Sequence, residues 1–166
     1  MGVLKELLVG PPLLTVAAAE SLTAGRVQSF IAADSGSSAY FLGGVTAYSL
    51  EQKVALLKVE PVHARSVNCV SARVAEEMAL GVCGLFGSRV GVATTGYAEP
   101  WPAEGISEPF AFWAVAYRDL NHAWTIRTGR VELSGLDRIG AQQSAANAAT
   151  SALITLLQAV RAGTAL

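Results

Sequence analysis

The chain has 166 residues, 52% of them hydrophobic and 15% charged, with a mean hydropathy of +0.41. That is enough apolar material for one domain of about 100–200 residues, and it excludes a disordered chain, which needs low hydrophobicity and high net charge. The net charge is -1, and the nine arginines and three lysines are scattered singly, so no basic stripe for nucleic acid is present.

The opening run MGVLKELLVGPPLL carries Glu6 and has neither a basic start nor a small-residue cleavage site, so it does not read as a signal peptide. Glu20, Arg89 and Arg118 break the longest apolar stretches below the roughly 18–20 residues a bilayer requires. No membrane partner and a cytoplasmic location are therefore expected. Cys69 and Cys83 lack CxxC spacing and read as buried free thiols.

Residues 15–19 (TVAAA) form an unbroken apolar run that predicts a strand covered on both faces, ended by Glu20 and Ser21. Val27, Phe30 and Ile31 fall at helical spacing within 22–33, and the turn formers from Asp34 to Ser38 end that helix. Gly43 and Gly44 open a second strand running to Tyr48. Ser49 then precedes a helix over 50–58, which Pro61 closes. Ser71 is placed to cap a helix whose Val74, Met78, Val82 and Leu85 make one apolar face, and Gly87 stops it. Residues 89–95 and 111–117 read as buried strands, 123–133 as a strand pair or one long twisted strand, and 139–160 as an alanine-rich final helix. Helices alternate with the early strands but not the later ones. This predicts an α/β fold of three layers, α/β/α, around a mixed central sheet, in a single domain over 1–166. The Pro-, Gly- and acid-rich stretch 98–109 is too long for a tight turn and predicts a surface loop beside the strand ends, where α/β sites are built.

His63 and His122 are the only histidines, far apart and without ligand-like neighbours, so both read as surface residues and no metal site is expected. GxSxG, GxGxxG and GKS/T are all absent, which removes the nucleophile elbow and the common nucleotide loops; no cofactor is expected. Ser21 stands where a buried strand hands over to a helix, and two readings of it stay open. In one, it is an N-cap accepting a hydrogen bond from an orphan amide. In the other, it is a nucleophile, because the unpaired amides and positive dipole end beside it would stabilise an oxyanion. A nucleophile needs a base, and with histidine excluded the candidates are Lys5, Lys53 and Lys58. Lys53 follows the second strand at the same sheet edge. Desolvated and neutral, it can take the serine proton, with Tyr48 orienting it or relaying the proton. The competing reading makes Lys53 a solvated helix residue.

Several segments resemble the C-terminal domain family of the CinA competence/damage-inducible proteins and its single-domain relatives, the nicotinamide-nucleotide amidases. AESLTAG over 19–25 is similar to the family's AESxTGG, and GSSAYFLGGVTAYSLEQKVALL over 36–57 follows GSSxxFxGGxxxYSxxxK. VSARVAEEMA over 70–79 follows VSxxVAxxMA, and Thr95-Gly96 begins like the family's TGIAGP. The resemblance covers nearly the whole chain from Thr15 onward. It implies a layered α/β fold and metal-free hydrolysis of nicotinamide mononucleotide to nicotinic acid mononucleotide and ammonia. Ser21 would be the nucleophile and Lys53 its general base, with Tyr48 in support. Thr23, Gly25, Ser37, Ser38, Thr95 and Gly96 would line the substrate pocket.

Three departures fall on that implied pocket. Ala24 replaces a family glycine and adds a methyl that would tighten or block it. GYAEPWPAE over 96–104 replaces a glycine-rich GIAGPGGG loop with aromatic rings and two acids. The family's arginines after an SG dipeptide are missing after Ser134-Gly135, so Arg138 would have to bind the substrate from a different turn. The expected partner is a small-molecule nucleotide, with specificity shifted toward a less anionic or aromatic amide. The alternative is a binding or scaffold module that keeps the fold without turnover and presents Tyr97, Trp101 and Phe110. The apolar composition adds the expectation of a homo-oligomer.

Overall fold

The computed structural model describes residues 2–164. Strand β1 (Val16–Glu20) is buried at every position because it lies between two parallel neighbours, β2 (Phe41–Thr46) and β3 (Val90–Tyr97). Strand β4 (Phe110–Arg118) runs antiparallel to β3, and β5 (Trp124–Glu132) antiparallel to β4. The sheet is therefore mixed, in the order β2-β1-β3-β4-β5.

Alternation along each strand sorts the core onto two faces. Val16, Ala18, Val90, Val92 and Val115 pack toward α1 (Val3–Val9), α2 (Arg26–Ile31) and α6 (Arg138–Arg161). Ala17, Ala19, Ala93, Ala114 and Ala116 pack toward α3 (Leu50–Leu57), α4 (Pro61–Ser66) and α5 (Ala72–Phe86). Small residues on this second face let α5 lie close to the sheet: a Cβ added at Gly91 would collide with the Ala79 carbonyl. The α/β/α layering around a mixed sheet is as the sequence predicts. Among the described residues, no helix is long and apolar enough to cross a membrane.

Several elements differ from expectation for local reasons. Helix α1 was not anticipated; its Leu4 and Leu8 are buried against the first core face. Helix α2 begins at Arg26 rather than near 22, because Ala24 (φ 50°) and Gly25 (φ 98°) are left-handed and cannot extend a right-handed helix. Pro61 does not close α3. Lys58, left-handed at φ 59°, ends it, and Pro61 opens α4 with the Glu60 carboxylate accepting from the Val62 and His63 amides. Of the two readings of 123–133, the single long strand is the one that forms, over Trp124–Glu132. His122 is exposed as expected, but His63 is half-buried, with Nε2 3.0 Å from Ser71 Oγ.

Candidate active site

The three parallel strands end at one edge of the sheet, and there the chain opens a cleft of about 500 Å³. The helix after β1 packs on one face and the helices after β2 on the other, so the segments leaving the strands diverge and leave space between them. Ser21 comes from the end of β1, Tyr48 and Lys53 from the β2–α3 connection and α3, Thr95 and Gly96 from β3, and Arg138 from the first turn of α6.

Lys53 is 1% exposed, and its Nζ lies 3.0 Å from Ser21 Oγ. It also donates to the carbonyls of Ala47 and Tyr48, at 2.9 Å each. Among the described residues, no carboxylate forms an ion pair with it. Burial accordingly pushes its pKa below the ordinary lysine value, because the ammonium form has lost its hydration. Nζ thus donates to three acceptors, the two carbonyls and Ser21 Oγ, which match the three N–H bonds of an ammonium; in the neutral amine, two N–H bonds to the carbonyls would leave the lone pair for the Ser21 hydroxyl. A solvated Lys53 is thus excluded. The placement follows from α3 itself, where Ser49 caps the helix and Lys53 falls one turn in, facing the sheet edge.

Ser21 is 8% exposed and does not cap α2; Gly25 holds the N-cap position, and the Glu20 carboxylate takes up the amides that begin the helix. Glu20, fully buried, accepts from the amides of Gly25, Val27 and Gln28 at 2.9, 3.2 and 2.8 Å and from Thr23 Oγ1 at 2.5 Å. Thr23 Oγ1 also lies 2.7 Å from Thr94 Oγ1, tying the turn to β3. This network holds residues 21–25 in a tight turn. Among the described residues, no protein acceptor pairs with the Leu22 and Thr23 amides that follow Ser21.

Several expected pocket residues lie elsewhere. Thr23 and Gly25 are committed to Glu20 behind the turn and do not line the cleft. Ser37 and Ser38 form a short 3-10 turn that precedes β2, at the opposite end of the sheet from Ser21; a strand of that length separates them by roughly 15 Å. The Ala24 methyl is exposed and outside the cleft wall, so it blocks nothing. Tyr48 does not orient Lys53 through its ring: its hydroxyl accepts from Arg138 Nη2 at 3.0 Å, and only its carbonyl meets Lys53. Thr95, Gly96 and Arg138 do line the cleft.

Asn68 and Cys69 are among the wall residues that were not foreseen. They are consecutive left-handed positions, at φ 49° and 61°, with the Cys69 carbonyl accepting from Thr95 Oγ1 at 2.7 Å. Cys69 is therefore half-buried at the cleft rather than in the core, and burial raises its thiol pKa. Cys83 is buried as expected. Across the mouth, Arg138 Nη1 donates to Glu99 at 2.6 Å, and Tyr97 packs edgewise on Trp101, with ring centroids 6.3 Å apart.

Comparison with known proteins places this chain and its fold in a family. The profile of the CinA C-terminal domain matches residues 8–157. A CinA-like protein from Picosynechococcus is 38% identical over 112 residues, 67% of this chain and 26% of that protein. One from Thermosynechococcus vestitus is 49% identical over 86 residues, 52% of this chain and 21% of that protein. The chain thus spans about a fifth to a quarter of the length of these curated relatives. Among solved structures, a CinA-superfamily protein from Klebsiella pneumoniae superposes with a TM-score of 0.82 at 25% identity, covering 94% of each chain. The competence/damage-inducible protein CihA from Agrobacterium tumefaciens gives 0.79 at 25% identity, covering 95% of this chain and 97% of that one. With a profile match over nearly its whole length and the same fold, the chain belongs to the CinA C-terminal domain family.

Proposed function

We propose that the cleft hydrolyses a carboxamide, in the manner of a nicotinamide-nucleotide amidase, with Ser21 as nucleophile and Lys53 as general base. The observation that carries this reading is the 3.0 Å approach to Ser21 Oγ of a buried lysine that has no ion pair among the described residues. A buried lysine is costly unless it is neutral, and a neutral amine beside a hydroxyl is a base in reach of its proton.

In this mechanism the neutral Lys53 amine accepts the Ser21 proton as Oγ bonds to the amide carbon. The resulting oxyanion takes a hydrogen bond from the amide of Leu22, which lines the cleft and whose N–H has no protein acceptor among the described residues. Lys53, now an ammonium held by the Ala47 and Tyr48 carbonyls, returns its proton to the nitrogen of the departing amide. The C–N bond breaks, ammonia leaves, and Ser21 carries an acyl ester. Water, deprotonated by Lys53, then attacks the ester; the C–O bond to Ser21 breaks, the carboxylic acid departs and the serine regains its proton. Thr95 and Cys69 also line the cleft, and the Tyr97 and Trp101 rings in its wall supply aromatic surface for an aromatic amide.

The test is ammonia release by the purified chain and its Ser21→Ala variant, each offered nicotinamide mononucleotide and nicotinamide riboside. The proposal expects release by the unmodified chain alone. Ammonia from neither substrate would favour the second reading, a binding module, for which the 45% exposed Trp101 at the cleft mouth is the supporting observation.

A further inference from the structure

The charged groups of the cleft are few. Among the described residues lining it, Lys53 and Arg138 are the cations and Glu99 is the carboxylate. Lys53 is buried against Ser21 and held as a base, so Arg138 is the group left to recognise an anion. Its guanidinium is already engaged. Nη1 donates to Glu99 Oε2 at 2.6 Å, and Nη2 donates to the Tyr48 hydroxyl at 3.0 Å. The three side chains come from the loop after β3, the first turn of α6 and the β2–α3 connection, so together they bridge the cleft mouth.

We propose that Glu99 is a specificity determinant: its carboxylate occupies the anion-recognising edge of Arg138, so the cleft selects amides without a phosphate over their phosphorylated counterparts. This inference deepens the amidase reading and rests on it for the substrate class. The Glu99 bond is a single one, Nη1 to Oε2, and a phosphate monoester that makes a forked bond across Nη1 and Nη2 competes with it for that end of the guanidinium. To reach it, the phosphate must displace Glu99 and then sit beside a like charge. The Glu99–Arg138 pair is about half exposed on each side, so breaking it alone weakens binding by up to about fivefold. Carboxylate–phosphate repulsion at neighbouring positions adds a comparable factor even in a water-like dielectric. The combined penalty is about tenfold or more, and it applies only to the phosphorylated ligand.

Calorimetric titration tests this on the full chain carrying Ser21→Ala, which prevents turnover during the measurement. Nicotinamide mononucleotide, nicotinamide riboside and inorganic phosphate are titrated into that protein and into the same protein with Glu99→Gln added. The expected result is about tenfold or greater tightening of the mononucleotide with Glu99→Gln, a parallel gain for inorganic phosphate, and a riboside affinity unchanged within about twofold. Adding Arg138→Gln to the Glu99→Gln protein should abolish the gain. Equal changes for mononucleotide and riboside, an unchanged mononucleotide affinity, or a gain that survives Arg138→Gln would each overturn the proposal. Absence of binding by all three ligands to every variant also overturns it. Because the readout is affinity, each of these outcomes is independent of ammonia release, which alone judges the amidase reading.

Discussion

Replacing Glu20 by Gln probes the residue that shapes the serine turn. The carboxylate is fully buried and accepts four hydrogen bonds, three on Oε2 from Thr23 Oγ1, Gly25 N and Val27 N, and one on Oε1 from Gln28 N. Glutamine has the same shape but only one acceptor oxygen. Its best placement puts that oxygen where Oε2 stands, so its NH2 group faces the Gln28 amide, donor against donor. One charge-assisted bond, at about 1.5–3 kcal/mol, is lost, and the other three become neutral bonds of roughly half the strength. These losses sum to about 4–7 kcal/mol, and because the variant no longer buries a formal charge, part of that is offset, leaving about 2–4 kcal/mol. For a domain of this size, at about 2–4 °C per kcal/mol, the melting temperature should fall by roughly 5–15 °C. Thermal unfolding followed by circular dichroism reads this directly. A variant that melts within about 2 °C of the unmodified chain would refute the claim that the carboxylate closes the start of α2.

Ala24 sits at φ 50°, where glycine carries no Cβ penalty, so Ala24→Gly should stabilise the chain by about 0.5–1 kcal/mol in denaturant unfolding despite glycine's greater freedom when unfolded. A loss of stability would contradict the assigned strain. The depressed pKa of Lys53 has a signed consequence for stability. Between its lowered value and 10.5 the unfolded chain binds more protons than the folded one, so stability rises with pH across that window. Relative to Lys53→Met, the unmodified chain should gain stability as pH climbs toward 10.5, and a difference independent of pH would argue against a buried neutral amine. Burial pushes the Cys83 thiol up to about 11, so alkylation at neutral pH should require unfolding; rapid labelling of the native chain at this residue would exclude its assigned position.

What the sequence revealed and what it hid differ in range. Ser49, Ser71 and Gly87 do what their residue types and positions announce, because a cap acts within one helical turn. The sheet was legible from apolar runs alone, and Ser21 and Lys53 could be set on one edge because both follow parallel strands. Glu20 was read only as a break in the strand. The usual capping signature lies immediately before a helix, whereas here a turn of left-handed residues intervenes and the carboxylate reaches across it. Asn68 carried only the weak signal of an asparagine, which takes positive φ more readily than most residues, and Cys69 carried none. Ser37 and Ser38 were misplaced because a sequence motif that runs through a strand does not say which of its residues lie at which end. Glu99 and Arg138 are separated by 39 residues, and only the loop's return across the cleft brings them together.

The central claim is that Ser21 and Lys53 act as one unit, and the direct measurement is a comparison of ammonia release from nicotinamide mononucleotide and its riboside by the unmodified chain, Ser21→Ala, Lys53→Met and the double variant. Groups that share one proton transfer lose their effect together rather than additively. Each single variant should therefore lose at least about a hundredfold in rate, with the double variant no worse than either. Turnover by Lys53→Met within about tenfold of the unmodified chain, or losses that multiply in the double variant, would contradict the account.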